Sequence, residues 1–142
     1  MIRVVICDDH MIVRQGLKQT LGEVGDMAVI DEADNGTDCV RLVQRLRPDV
    51  VLLDLALIGR DGLDTLAELR TVCPRVPVLM LSTLPERQYA VRCLQAGAAG
   101  YLHKSVDAAE LAQAVRTAAA GQSYITPAVA EAVAESAYLQ RA

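Results

Sequence analysis

Several short apolar runs in this sequence end in side chains that suit phosphoryl-transfer chemistry. Asp8 and Asp9 follow the first run, Asp54 follows the third, Ser82 the fourth and Lys104 the fifth. Clustered carboxylates repel one another unless a positive charge lies between them. Oxygen ligands with no Cys or His at ligand spacing favour a hard cation such as Mg²⁺. A cation, a carboxylate nucleophile, a hydroxyl and a lysine would together suit a phosphoryl group, because its transfer needs positioning and charge neutralisation.

Each of these side chains also has an ordinary structural interpretation. Asp8 and Asp9 could cap the first helix, and Ser82 or Thr83 could cap the fourth. Asp54 could be a solvated loop acid, and a single lysine such as Lys104 is more often a surface residue. Asp61, which stands before a glycine, is typical of a turn or a helix cap. The functional interpretation depends on the joint placement of these residues at the ends of the apolar runs.

The composition describes one folded domain with an acidic balance. The chain has 142 residues, with 14 Lys and Arg against 18 Asp and Glu, and it is 52% apolar without Trp or Phe. This apolar content excludes intrinsic disorder, and a net charge of −4 with scattered arginines argues against a nucleic-acid-binding surface. No apolar run approaches the roughly 20 residues that cross a bilayer, and the start lacks a secretory signal. We therefore expect a cytoplasmic protein without membrane contact.

The cysteines and histidines are not spaced as metal ligands. Four cysteines lie far apart and form no CxxC motif, which favours reduced thiols. His10 and His103 have no partners at ligand spacing, and we interpret both as structural or solvated. The cysteines are Cys7, Cys39, Cys73 and Cys93.

Short apolar runs alternate with longer helical patterns along the chain. The short runs are apolar throughout, as in strands buried on both faces, whereas the longer segments have apolar residues every three or four positions. The pattern predicts an α/β fold: a doubly wound, five-stranded parallel sheet of order 2-1-3-4-5 with helices on both faces. In that order strand 1 lies beside strand 3, so the three aspartates converge. The predicted strands are Arg3–Cys7, Met27–Ala33, Val50–Leu53, Val78–Leu81 and Tyr101–His103, and the predicted helices are Met11–Val24, Thr37–Leu46, Leu63–Val72, Glu86–Ala96, Ala108–Ala120 and Pro127–Gln140.

The last residues depart from this alternation. A turn-rich segment leads to Pro127, which opens an Ala-rich helix whose weak apolar stripe includes Val129 and Val133. We interpret 1–120 as the folded domain and 121–142 as a linker that carries a helix. The alternative is a helix that packs on its own domain or on a second copy of the chain.

Four segments stand in order along the chain: VVICDDHMIVRQGL, PDVVLLDLALIGRDGLDTL, VPVLMLST and AGAAGYLHKS. Together they resemble the receiver domain (CheY-like) of a two-component response regulator, over residues 1–120. The DDH, VRQGL and GYLHK segments and the tail GQSYITPAVAEAV resemble its NarL/FixJ (LuxR-type) branch. In that branch the tail leads to a C-terminal helix-turn-helix domain, which is absent from these 142 residues.

The resemblance implies a role for each residue of the acidic edge. Asp54 would accept a phosphoryl group from a phosphohistidine on a sensor histidine kinase or a phosphotransfer protein. Asp9, Asp54 and the backbone carbonyl of Ala56 would hold Mg²⁺ (or Mn²⁺), and Asp8 would assist through a water molecule. Such a domain is a phosphoacceptor that slowly loses the group again, and it is not an enzyme with an external substrate.

The resemblance also implies a switch. Lys104 would pair with the phosphoryl oxygens, Ser82 would donate its hydroxyl to one of them, and Tyr101 would follow Ser82 as it moves. A local charge change of this kind biases a two-state element. The output would be a changed surface over the fourth helix, the fifth strand and the fifth helix. The face of the first and fifth helices, together with the tail, permits a homodimer, since alanine is frequent in the fifth helix and the tail. DNA would be bound only through the absent domain.

Three alternatives to a DNA-binding regulator remain open at this point. A stand-alone phosphorelay receiver would have the same site, although it has no use for a linker helix. A haloacid-dehalogenase-like phosphatase also uses a strand-end aspartate with Mg²⁺, but its DxDx(T/V) pattern does not match Asp8-Asp9-His10-Met11 and leaves Asp54 unexplained. A flavin carrier shares the fold, yet this chain has no Trp or Phe and no Gly-rich loop after the first strand.

Two departures from the family pattern bear on the site. Leu57 and Ile58 replace the usual Met-Pro pair, and we expect the loop 56–60 to be freer as a result. Ala56 and Leu84 occupy positions that tune autodephosphorylation in the family. Because neither side chain can orient a hydrolytic water, we expect a long-lived phosphorylated state.

Overall fold

The chain forms a parallel sheet with helices on both faces, and the computed structural model describes residues 1–57 and 61–141. The strands pair in parallel in the order β2-β1-β3-β4-β5, which confirms the predicted architecture. The strands are β1 (Ile2–Cys7), β2 (Met27–Ala33), β3 (Val50–Asp54), β4 (Val78–Ser82) and β5 (Gly100–His103), and the helices are α1 (Met11–Gly22), α2 (Gly36–Leu46), α3 (Gly62–Val72), α4 (Glu86–Gln95), α5 (Ala108–Ala119) and α6 (Pro127–Arg141).

The apolar runs form strands because both of their faces are covered. Every residue of β3 and β4 is buried. Alternate strand side chains point to opposite faces, so Val5 and Leu53 pack with α2, α3 and α4, whereas Ile6 and Leu52 pack with α1 and α5. The sheet is therefore a rigid support for the residues at its carboxyl edge.

Two strands extend one residue further than the sequence pattern predicts. Asp54 pairs with Leu81 in the β3–β4 ladder, and Ser82 pairs with His103 in the β4–β5 ladder. Both polar residues are thus the last positions of strands, where the backbone pairing limits their movement. In contrast, α1 ends at Gly22, two residues before the predicted end, because the chain turns there towards β2.

The C-terminal helix α6 packs against α4 of the same chain. Val129 and Ala132 are buried, whereas Val133 is 38% exposed, so the predicted stripe faces the protein only in part. Just before α6, the backbone N–H of Tyr124 donates to the carbonyl of Ala99 over 2.7 Å, which ties the start of the segment to the edge of the sheet.

The structure describes only part of the loop 56–60. Positions 58–60 of the loop 56–60 lie outside the described residues, so its expected freedom stays a prediction. In the part of the chain that the structure describes, no helix is long and apolar enough to cross a membrane. The four cysteines are free and buried.

Candidate functional site

Two buried aspartates lie at the carboxyl ends of β1 and β3. Asp8, directly after β1, is 1% exposed, and Asp54, the last residue of β3, is 3% exposed. Asp9 and His10 follow Asp8, and these four residues offer ligand atoms that all lie within 4.8 Å of one another. The aspartates converge, as the strand order predicted, because β1 and β3 are direct neighbours in the sheet.

Lys104 reaches this cluster from the end of β5. Its Nζ lies 2.8 Å from Asp8 Oδ2 and 3.3 Å from Asp54 Oδ2. Its backbone N–H donates to the carbonyl of Ser82 over 2.8 Å, so the β4–β5 ladder holds the lysine in place. Burial alone would lower the pKa of Lys104, but the hydrogen bond to Asp8 and the charge of Asp54 outweigh it and raise the pKa. The amine therefore stays charged and joins the two acids.

Asp54 is held in a place that disfavours its negative charge. Burial raises the pKa of the Asp54 carboxyl, and the nearby charge of Asp8 raises it further. The Ala56 N–H, which donates to Asp54 Oδ1 over 3.1 Å, and the Lys104 amine oppose this rise without cancelling it. The neighbouring groups therefore do not fully offset the cost of burying the negative charge of Asp54. A cation or an electrophile at this carboxylate would offset it further.

Two buried carboxylate oxygens of the cluster accept no well-aligned hydrogen bond: Asp9 Oδ1, which lies 2.9 Å from His10 Nδ1, and Asp54 Oδ2, which lies 3.3 Å from Lys104 Nζ. A buried polar oxygen without a donor is costly unless water or an ion satisfies it. Carboxylate oxygens are the ligands that Mg²⁺ and Mn²⁺ prefer. The donor set therefore fits a hard divalent cation between these two residues.

A chain of hydrogen bonds leads from Ser82 away from the acids. The backbone N–H of Leu84 donates to Ser82 Oγ over 2.9 Å, and the phenol of Tyr101 donates to the Leu84 carbonyl over 2.9 Å. Tyr101 is buried, and that burial raises its pKa. The Ser82 hydroxyl fixes the first residues of the loop that leads into α4.

His10 is part of the cluster, which the spacing of the histidines did not indicate. Its side chain is 65% exposed, as expected of a solvated histidine, but Nδ1 lies 2.9 Å from Asp9 Oδ1 and 3.2 Å from Asp8 Oδ1. Its backbone N–H also donates to Asp8 Oδ1 over 2.8 Å. The sequence signal was its position directly after the two aspartates, where a tight turn brings the side chain back to them.

Arg14 is a positioning residue that sequence reasoning missed. Its Nη1 donates to the Asp8 carbonyl over 2.7 Å, while its Nε donates to Glu32 Oε1 over 3.0 Å. Glu32 also pairs with Lys18, whose Nζ lies 2.8 Å from Oε2. Arg14 therefore anchors the end of β1 to α1 and β2. The sequence alone does not indicate this role, because it depends on Glu32, which lies on β2 and is distant in sequence.

The ordinary interpretation holds for two of the other candidate polar residues. Asp61 caps α3, since its Oδ1 accepts from the backbone N–H of Leu63 over 2.8 Å. His103 is structural: Nδ1 lies 2.7 Å from Ser105 Oγ, and Nε2 lies 3.1 Å from the Thr83 carbonyl oxygen.

Residues 4–116 match the response regulator receiver domain family. The chain is 39% identical over 134 residues to the response regulator GacA of Pseudomonas aeruginosa, which covers 94% of this chain and 63% of that protein. It is 34% identical over 139 residues to the nitrate/nitrite response regulator protein NarL of Escherichia coli, covering 98% of this chain and 64% of that protein. The chain thus spans less than two thirds of the length of these relatives.

Solved structures agree with these sequence relatives. A two-component response regulator of the LuxR family from Aurantimonas sp. SI85-9A1 is 32% identical with a TM-score of 0.88, covering 97% of this chain and 99% of that one. The signal receiver domain of the putative response regulator NarL from Mycobacterium tuberculosis is 36% identical with a TM-score of 0.80, covering 85% and 98% of the two chains. The chain belongs to the receiver domain family of two-component response regulators, with relatives of the NarL/LuxR type.

Proposed function

We propose that Asp54 accepts a phosphoryl group from a phosphohistidine of a sensor histidine kinase or a phosphotransfer protein. The observation that carries this proposal is the buried carboxylate of Asp54, whose Oδ2 lies 3.3 Å from the Lys104 amine and within the cluster formed with Asp8 and Asp9. In the transfer, a carboxylate oxygen of Asp54 forms a bond to phosphorus as the phosphorus–nitrogen bond breaks. The imidazole leaves with the electron pair of that bond. The chain acts as a phosphoacceptor switch and turns over no external substrate.

Asp9, Asp54 and the backbone carbonyl of Ala56 would hold Mg²⁺ or Mn²⁺, with Asp8 acting through a water molecule. The buried oxygens Asp9 Oδ1 and Asp54 Oδ2, which accept no well-aligned hydrogen bond, support these two residues as direct ligands. When bound, the cation supplies positive charge that offsets the repulsion between the carboxylates and the incoming phosphoryl oxygens. Asp8 stays paired with Lys104 and keeps the amine beside the site.

Lys104 and Ser82 would stabilise the phosphoryl group, and Tyr101 would respond to the movement of Ser82. Lys104 is a compact cation that pairs with a phosphoryl oxygen. Ser82 turns its hydroxyl from the Leu84 N–H to another phosphoryl oxygen, and Tyr101 then loses the geometry of its bond to the Leu84 carbonyl. Support comes from the Ser82–Leu84–Tyr101 hydrogen bonds, which connect the site to the loop before α4.

The test is phosphorylation by acetyl phosphate in the presence of Mg²⁺, followed by intact-mass measurement. We expect one modified site, no modification without the cation, and none in Asp54→Asn. Asp61→Asn is the matched control, because Asp61 caps α3 and asparagine caps equally well. Modification that survives Asp54→Asn would refute the assignment. Turnover of a phosphate ester would instead support the phosphatase alternative.

For the whole protein we propose a cytoplasmic transcriptional regulator in which residues 1–120 are the receiver and residues 121–142 the linker to a DNA-binding domain. Relatives named as response regulators and transcriptional regulatory proteins, each longer than this chain, support that proposal. A stand-alone relay receiver is the second candidate.

We also propose that the chain forms a homodimer and that phosphorylation favours it. Light scattering with and without the phosphoryl mimic beryllofluoride measures the association state, and we expect more dimer with the mimic.

A further inference from the structure

We propose that α6 is a strap across α4 that holds the unphosphorylated state and is released when Asp54 is phosphorylated. This inference rests on the proposed function of Asp54. Its basis is a set of contacts that join α6 to the beginning of α4, together with the hydrogen bonds that join that same beginning to Ser82.

The strap is held by charge and by a small apolar contact. Arg87 on α4 reaches two acids of α6: Nη2 lies 3.0 Å from Glu135 Oε2, and Nη1 lies 3.4 Å from Glu131 Oε2. Beneath these pairs, Val129 and Ala132 are the buried residues of α6 over 127–137, the part of the helix whose side chains the structure describes. Exposed ion pairs contribute little stability, and two short side chains bury little apolar area. The contact is therefore weak enough for a local rearrangement to break.

A single hydrogen bond joins the first turns of the two helices. The hydroxyl of Thr126 donates to Glu86 Oε1 over 2.6 Å, and the same Thr126 Oγ1 accepts from the backbone N–H of Val129 over 3.3 Å. Thr126 thus caps α6 while it is bound to the first residue of α4. A displacement of Glu86 breaks its hydrogen bond with Thr126, the residue that caps α6. It also moves the neighbouring Arg87.

The beginning of α4 is coupled to the candidate site. Leu84, two residues before Glu86, donates its N–H to Ser82 and accepts from Tyr101 through its carbonyl. When the Ser82 hydroxyl turns to a phosphoryl oxygen, Leu84 loses that acceptor. The loop at residues 83–85 is then free to shift, and it carries Glu86 and Arg87 with it.

The strap remains tethered when it is released. Tyr124 bridges to Gly100 of β5, and its phenol donates to Glu110 Oε1 over 2.9 Å. None of these contacts involves α4. The chain therefore pivots at residues 125 and 126 while residue 124 stays fixed, and release exposes the Arg87 face of α4.

The test is amide hydrogen exchange, resolved by residue, in the 142-residue chain with Mg²⁺ alone and with Mg²⁺ plus beryllofluoride. We expect exchange in α6 to accelerate on the order of tenfold with the mimic, while the amide of Tyr124 stays protected. Arg87→Ala should accelerate α6 exchange without the mimic. Glu135→Ala should do the same, and the double variant should add little to either. Arg116→Ala is the matched control, because Arg116 forms an exposed ion pair with Asp26 on another face.

The outcomes separate this proposal from the function on which it rests. Protection changes around Asp54 and Ser82 without any change in α6 would refute the strap and leave phosphorylation intact. No change anywhere on adding the mimic would refute both. Equal effects of Arg87→Ala and Arg116→Ala on α6 would show a general loss of stability and would also refute the strap.

Discussion

Asp54 combines burial with a neighbouring acid, and both raise its pKa. The folded protein therefore stabilises the ionised carboxylate less than water does. Asp54→Asn keeps an acceptor for the Ala56 N–H, and Lys104 keeps its closer partner Asp8. We expect this variant to raise the free energy of unfolding by about 1 kcal/mol at neutral pH without metal. Urea denaturation with a chelator present measures the change. Asp8→Asn, which removes the closer partner of Lys104, should lower stability, and a less stable Asp54→Asn would contradict the argument.

Ala56 and Leu84 predict a slow loss of the phosphoryl group, because neither apolar side chain can hold an attacking water. Ala56 is exposed directly beside the acidic cluster. Ala56→Asn should therefore increase the hydrolysis rate by roughly tenfold, since an amide there can position a water. The decay of the phosphorylated protein, followed by intact mass, gives the rate. Ala56→Val is the control, because valine is apolar like alanine and should not increase the hydrolysis rate. A wild-type half-life in the range of seconds would contradict the premise.

At the scale of elements, Gly62 sets how closely α3 approaches the end of β3. A Cβ at Gly62 would collide with the Asp54 carbonyl oxygen and lie 2.7 Å from Leu55 Cα, both of which are backbone atoms. Gly62→Ala should lower the free energy of unfolding by about 2 kcal/mol. It should also slow phosphorylation, because the added methyl group displaces Asp54, the proposed phosphoacceptor.

Gly16→Ala is the matched control for this substitution. A Cβ at Gly16, within α1, would meet no atom within 4 Å apart from its chain neighbours and the nearby backbone of its own helix. Alanine there should raise the free energy of unfolding by up to about 1 kcal/mol, since glycine is a poor helix former. Thermal unfolding and acetyl phosphate labelling of both variants measure the two effects. Equal stability of Gly62→Ala and the wild type would contradict the close approach.

The elements that sequence patterns predict well are those whose signal is local. Buried strands and amphipathic helices carry their own periodicity, and the strand order then brings Asp8, Asp9 and Asp54 together. The orientation of α6 was not predictable in this way, because a periodic stripe shows which face is apolar but not which helix it contacts. The role of Arg14 was not predictable for a related reason: Arg14 lies on α1, whereas its partner Glu32 lies on β2.

At the scale of the whole molecule, ion pairs between distant segments make stability depend on pH. Hydrogen bonds from Lys18 and Arg14 lower the pKa of Glu32. A carboxyl whose pKa is lower in the folded state stabilises the fold above its unfolded pKa, about 4.3 for Glu. That contribution is lost as the pH falls through the lowered folded value. Glu32→Gln should therefore flatten the acid side of a plot of Tm against pH. Glu23→Gln, at the end of α1, serves as the control, and identical acid slopes for wild type and Glu32→Gln would contradict the assignment.

Cation binding should stabilise the whole domain, because only the folded chain brings Asp9 and Asp54 together. A ligand that binds the folded state alone adds about 1.4 kcal/mol to the free energy of unfolding at ten times its Kd. Mg²⁺ should therefore raise Tm, with saturation, by more than NaCl does at equal ionic strength. Asp9→Asn should abolish this difference, since it replaces one carboxylate of the cluster with a neutral amide. Asp61→Asn should preserve it. Differential scanning fluorimetry across a Mg²⁺ series measures the effect, and equal shifts with Mg²⁺ and NaCl would refute a specific cation site at this edge of the sheet.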